Sequence, residues 1–171
     1  MTKFFVFDAE SIGLSGEACA IGGGVYLEDG TAQWEFTMAC PQDACKGNEA
    51  GRKWVAENVP AMDWTHNTPK EMRDSFWKLW EAAKAQGAIA MVECGWPVEA
   101  NLMSQCIGDD PRREFQGPYP LHEIATYMTA AGMDAMATYP RLKPELPAHN
   151  PQSDARLSAR LLAIAISKLV K

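Results

Sequence analysis

The amino-acid sequence predicts an α/β domain built on a mixed sheet with helices on both faces. Three apolar segments of extended character fill the first 40 residues, and short strands alternate with helical patterns after them. A length of 171 residues with 47% hydrophobic and 22% charged residues suits a single such domain, 1–171, with a substantial core.

Residues 3–8 are apolar on both faces, which predicts a central strand. Residues 18–27 and 32–40 read as two further strands, and Glu28-Asp29-Gly30 suits the hairpin that joins them. Helical spacing follows over 48–59 and 68–86. In the second stretch Met72, Phe76, Leu79, Trp80 and Ala83 share a face, marking core rather than a base-stacking platform. A short apolar strand at 87–93 precedes a helix opened by Pro97 and running to Ile107. A polar loop from Gly108 to Glu114, a short edge strand at 115–119 and a helix at 121–131 come next. A mobile proline-rich loop (Pro140, Pro144, Pro147, Pro151) then leads into a closing helix at 151–169, which Asn150 can cap. Gly22-Gly23-Gly24 lacks the spacing of a phosphate or dinucleotide loop and lies in a strand pattern, so close packing or a bulge explains it.

Charge and composition narrow the function classes. A net charge of −6 argues against a broad basic saddle that coats long nucleic acid, but not against a grip on a few terminal nucleotides. No run approaches membrane-span length, and Phe4 to Phe7 is too short for a signal-peptide core, so a cytoplasmic protein is expected. The five cysteines (Cys19, Cys40, Cys45, Cys94, Cys106) are then expected as reduced thiols. Cys40, Cys45 and His66 match no standard zinc spacing.

Three acidic positions break the pattern of their elements. Asp8 and Glu10 are two apart, so in an extended chain they stand side by side at the carboxyl end of a buried strand. Strand-end punctuation would also account for that pair. Glu99 lies in a first helical turn, where the helix dipole favours an acid, yet it aligns with the apolar stripe Leu102, Met103 and Cys106. Asp154 repeats this, aligned with Leu157, Leu161 and Ile164. A buried lone carboxylate is costly unless paired or bound to a cation, so these acids are expected in one pocket. His149, one residue before the capping Asn150, can take a proton near neutral pH.

Four clustered carboxylates repel one another and need cations, and all-oxygen ligation suits Mg²⁺ or Mn²⁺. Two such ions about 3.5–4 Å apart can clamp a phosphodiester, with His149 taking the proton of the attacking water. Removing those four acids from the balance leaves −2 on the rest of the chain, so acidity is a weak objection to a nucleic-acid substrate. Arg112, Arg113, Arg141, Lys143, Arg156 and Arg160 are the candidate phosphate contacts.

The run from Phe5 through Asp8, Ala9 and Glu10 to Leu14 resembles the first motif of the DEDD 3′→5′ exonucleases. His149-Asn150-Pro151-Gln152-Ser153-Asp154-Ala155 resembles the third motif of the histidine-bearing DEDDh branch, with four residues between His and Asp. Gly95 to Met103 matches the middle motif less well, since Glu99 stands where the family has Asp and Glu93 is a rival for that role. Ile12 replaces the usual Thr or Ser. Together these segments span nearly the whole chain. The resemblance implies a ribonuclease H-like fold with five strands, the second antiparallel to the rest. It implies two divalent ions held by Asp8, Glu10, Glu99 and Asp154, with His149 as general base. Backbone near Ile12 would hold the terminal 3′-hydroxyl and Leu14 would wedge against the last bases, although Leu14 also reads as a core residue after a turn.

The expected activity is removal of nucleotides from single-stranded DNA or RNA 3′ ends, and a homodimer fits a stand-alone domain of this kind. The alternative is a catalytically weakened nuclease-like module, its metal binding impaired at Glu99, that binds nucleic-acid ends or a protein partner.

Overall fold

The computed structural model describes residues Met1–Val170 and contains a five-stranded sheet of order β3-β2-β1-β4-β5. The strands are β1 (Lys3–Ser11), β2 (Ala18–Leu27), β3 (Ala32–Ala39), β4 (Ile89–Val92) and β5 (His122–Glu123). β2 runs antiparallel to β1 and to β3, whereas β1–β4 and β4–β5 pair in parallel. This is the ribonuclease H-like arrangement expected from the sequence. The helices are α1 (Glu49–Asn58), α2 (Pro69–Ala85), α3 (Val98–Gly108), α4 (Ile124–Ala130) and α5 (Pro151–Leu169). None is long and apolar enough to cross a membrane.

Alternation along the central strand divides the core. Phe5 and Phe7 enter one cluster with Phe76, Trp80 and Leu102, while Phe4 and Val6 enter the other with Ile124, Leu161 and Leu162. α2 and α3 thus cover one face of β1, and α4 and α5 the other. α3 and α5, which carry Glu99 and Asp154 in their first turns, both begin near the carboxyl end of β1. α2 begins at a capping box formed by Thr68 and Glu71 behind Pro69, as the helix-start chemistry requires.

The glycine run sets the seat of α5. Gly22 pairs with Asp8 in the β1–β2 ladder. A Cβ on Gly22 would lie 2.2 Å from the Gln152 main-chain nitrogen. Only glycine therefore lets the first turn of α5 rest on the sheet directly beside Asp8. Asn150 caps that turn, accepting from Gln152 and Ser153 N–H, with Pro151 at the first helical position.

Three expectations need correction. No strand forms at 115–119; the edge strand is instead the two-residue β5, paired with Met91 and Val92. Pro118 and Pro120 lack ladder donors, and Phe115 and Tyr119 face solvent, so that segment has neither bonds nor burial to hold it in a sheet. Ile164 lies on the exposed side of α5, because the buried line from Asp154 continues through Ser158, Leu161 and Ala165. The proline-rich loop is clamped rather than free. Glu145, buried within it, accepts Arg160 Nε at 2.5 Å and Nη2 at 2.8 Å, while Arg156 donates to the Pro144 carbonyl at 2.9 Å.

Replacing Gly22 with alanine should cost about 1–3 kcal/mol through overpacking against the α5 backbone. Urea denaturation compared with the parent chain measures this, and an unchanged midpoint would refute the close-contact account.

Candidate metal and nuclease site

β1, α3 and α5 bring their acids to one edge of the sheet. Glu10, Glu99 and Asp154 are buried at 7%, 7% and 8% exposure, and Asp8 is half-buried between them. One ligand atom each from Glu10, His149 and Asp154 lie within 4.8 Å of one another. Asp8 and Glu99 are outside that triple but close enough to interact by charge with it and with each other.

Crowding and burial shift these groups toward their protonated forms. Burial, then the charges of Asp154 and Glu99, pushes the Glu10 carboxyl up to about 8. Burial also raises Glu99 to about 7, against the pull of the main-chain N–H groups of Glu99 and Ala9. Asp8 is raised well above the usual carboxylate range by burial, then by Glu99, Glu10, Asp154 and Glu93. Asp154 is raised by burial, with Arg141 and His149 opposing. Glu93 itself is exposed and accepts Ser158 Oγ at 3.2 Å, so Glu99 is the buried acid of the two.

His149 sits at φ +58°, a left-handed backbone uncommon for a non-glycine residue. Its Nδ1 is 3.9 Å from Glu10 Oε1, and its ring meets Trp54 edge-on at 5.1 Å. Trp54 of α1 carried no signal in the sequence beyond helical spacing. With Leu14 and Val98 it lines a cavity of about 410 Å³ that opens beside Glu10. Leu14 is 68% exposed, so its reading as a core residue falls. Ile12 is fully buried, gives its N–H to the Glu17 carbonyl and accepts from Asn48 N–H at 3.3 Å.

Asp154 Oδ1 is buried and accepts no hydrogen bond. Arg141 Nη1 approaches it to 2.5 Å, but off the N–H axis, and the same nitrogen donates to the Glu145 carbonyl at 2.9 Å. An orphaned carboxylate oxygen facing two further ligand groups fits a divalent ion, and the mostly oxygen donor set fits Mg²⁺ or Mn²⁺. Of the other candidate phosphate contacts, four are engaged, Arg112 with Asp110, Arg113 with Asp74, Arg156 with Glu35 and Arg160 with Glu145, whereas Lys143 is exposed. His66 contacts Thr65 Oγ1 and Ser75 Oγ rather than Cys40 and Cys45, whose sulfurs are 3.5 Å apart.

No protein-family model and no curated protein matches the chain. Among solved structures, it is similar to a moderately thermophilic exonuclease I from Methylocaldum szegediense, with a TM-score of 0.59 and 14% identity. The match covers 99% of this chain and 40% of that one. The chain therefore spans less than half the length of that neighbour, and the likeness concerns the fold alone.

The raised acids give stability a pH dependence. Folded-state values of about 8 for Glu10 and about 7 for Glu99 exceed the ordinary 4.5, so the folded chain holds more protons than the unfolded one between these limits. Stability without metal should fall as pH rises from about 5 to about 8, and Mn²⁺ should offset the loss increasingly across that window. Melting curves in EDTA and in Mn²⁺ test this; a metal-free protein that gains stability over that range would contradict it.

Proposed function

We propose that the chain is a metal-dependent exonuclease that removes nucleotides from the 3′ end of single-stranded DNA or RNA. The observation that carries this reading is the convergence of Asp8, Glu10, Glu99 and Asp154 with His149 at one sheet edge, including an orphaned oxygen on Asp154. The nuclease fold of the structural neighbour supports it. Asp8, Glu10, Glu99 and Asp154 would hold two Mg²⁺ or Mn²⁺ ions, which supply water activation and charge neutralisation at a phosphodiester. A ring nitrogen of His149 accepts the water's proton, and the strained backbone at this residue fixes where the ring stands.

The cavity beside Glu10 takes the terminal nucleotide. Leu14 wedges against the last bases, and Trp54, 42% exposed, offers the terminal base a stacking face. Gly13, with φ +86°, makes the turn between Glu10 and Leu14. The 3′-hydroxyl falls to backbone near Ile12 rather than to Ile12 itself, whose N–H and C=O are engaged with Glu17 and Asn48. The whole chain, 1–171, acts as one exonuclease domain, and a homodimer is its expected assembly.

End-labelled single-stranded DNA and RNA with Mg²⁺ or Mn²⁺ should shorten as a ladder from the 3′ end. Asp8→Ala or EDTA should abolish it, and His149→Ala should slow it about 10²–10⁴-fold. Tight binding of ends without degradation in either metal would favour an end-binding module and overturn the enzyme. Trp54→Ala should raise KM about tenfold with little change in kcat, a loss of ~1.4 kcal/mol of stacking; an unchanged KM would remove Trp54 from the subsite.

A further inference from the structure

Arg141 is the one arginine of the proline-rich segment directed at the carboxylate cluster; the nearby Glu145 carboxylate feels its charge but takes its hydrogen bonds from Arg160 and the Leu142 N–H. Its Nη1 lies 2.5 Å from Asp154 Oδ1, yet that oxygen accepts no hydrogen bond. A stable buried Arg–carboxylate pair is normally a two-bond fork with the N–H groups aimed at the oxygens. The pairs Arg160–Glu145 and Arg156–Glu35 in the same region have that form, each with two guanidinium nitrogens engaged. Arg141–Asp154 has contact without alignment.

The segment bearing Arg141 is held from elsewhere. Arg160 Nη2 donates to the Pro140 carbonyl at 2.8 Å, the Glu145 carboxylate takes the Leu142 N–H at 2.7 Å, and Ser153 Oγ donates to the Leu146 carbonyl at 3.1 Å. Arg141 therefore does not need Asp154 to keep the backbone in place. Its side chain is 23% exposed against 11% for Asp154, so of the two partners Arg141 is the more accessible to a nucleic-acid phosphate arriving from solvent.

We propose that Arg141 exchanges partners: it serves as the counter-cation of Asp154 in the metal-free protein, and metal uptake releases it to pair with the phosphate of the substrate's 3′-terminal linkage. The inference rests on the preceding reading of the site as a metal-dependent nuclease. A guanidinium and a divalent ion compete for one carboxylate oxygen, since both are cations and Oδ1 is buried beneath Arg141. Once displaced, the arginine is an unpaired cation at the rim of a cluster whose charge the ions have neutralised. A phosphate bound at those ions offers it the planar, two-oxygen partner that Asp154 does not. Metal and substrate binding are thereby coupled through one side chain.

The test uses the full chain and two readouts, Mn²⁺ uptake by calorimetry and binding of short fluorescent oligothymidylate and oligouridylate in Ca²⁺. Arg141→Met should bind Mn²⁺ about tenfold more tightly and the oligonucleotides about tenfold more weakly than the parent, each change equal to ~1.4 kcal/mol. Arg141→Lys, which keeps the charge, should stay near the parent in Mn²⁺ affinity but lose part of the oligonucleotide binding. Arg141→Gln gives a second neutral variant should the methionine form not melt cooperatively. Unchanged or weaker Mn²⁺ binding in the neutral variants, or unchanged oligonucleotide binding, overturns the exchange while the site reading stands. A parent chain that takes up no Mn²⁺ or binds neither oligonucleotide overturns both.

Discussion

Carboxyl groups from one strand and two helices share a partly desolvated pocket at the edge of the sheet, and their mutual repulsion is the constraint on which the rest depends. In water such charges are screened, but here burial raises Glu10 to about 8 and Glu99 to about 7, with Asp8 and Asp154 raised as well. The pocket can be relieved by protons, by a neighbouring cation or by metal. Arg141 and the protonated acids supply the first two in the free chain. Each is a weaker partner for paired carboxylates than a divalent ion, so the site is poised for exchange.

The scaffold places these groups through backbone contacts rather than through the acids themselves. Gly22 admits the first turn of α5 beside Asp8, the Asn150 cap fixes where that turn begins, and the Glu145–Arg160 clamp holds the segment that carries His149. The repulsive cluster is therefore imposed by packing elsewhere in the domain. Apolar clusters on both faces of β1 provide the burial that offsets it.

Much of this was legible from residue pattern. The period-two Asp8 and Glu10 at a strand end, and Glu99 and Asp154 in register with apolar stripes, identified the edge where the acids meet. The doubly apolar β1 identified the central strand. What escaped the sequence was nonlocal. The two-residue β5 exists only because β4 offers it an edge, and no local signal distinguishes it from the exposed segment before it. The clamped loop depends on Arg156 and Arg160, one helical turn apart on α5, reaching back across the fold. There Arg160 pairs with the buried Glu145, and Arg156 meets the Pro144 carbonyl beside it. Trp54 meets His149 across a tertiary contact that helical spacing cannot reveal.

The central claim is that these carboxylates form a single divalent-metal centre. Its most direct measurement is anomalous diffraction from crystals of the full chain grown with Mn²⁺. The account predicts two peaks between Asp8, Glu10, Glu99 and Asp154, with separation about 3.5–4 Å. Crystals that bind Mn²⁺ only at other surfaces, or that place Asp154 away from Asp8, would contradict it.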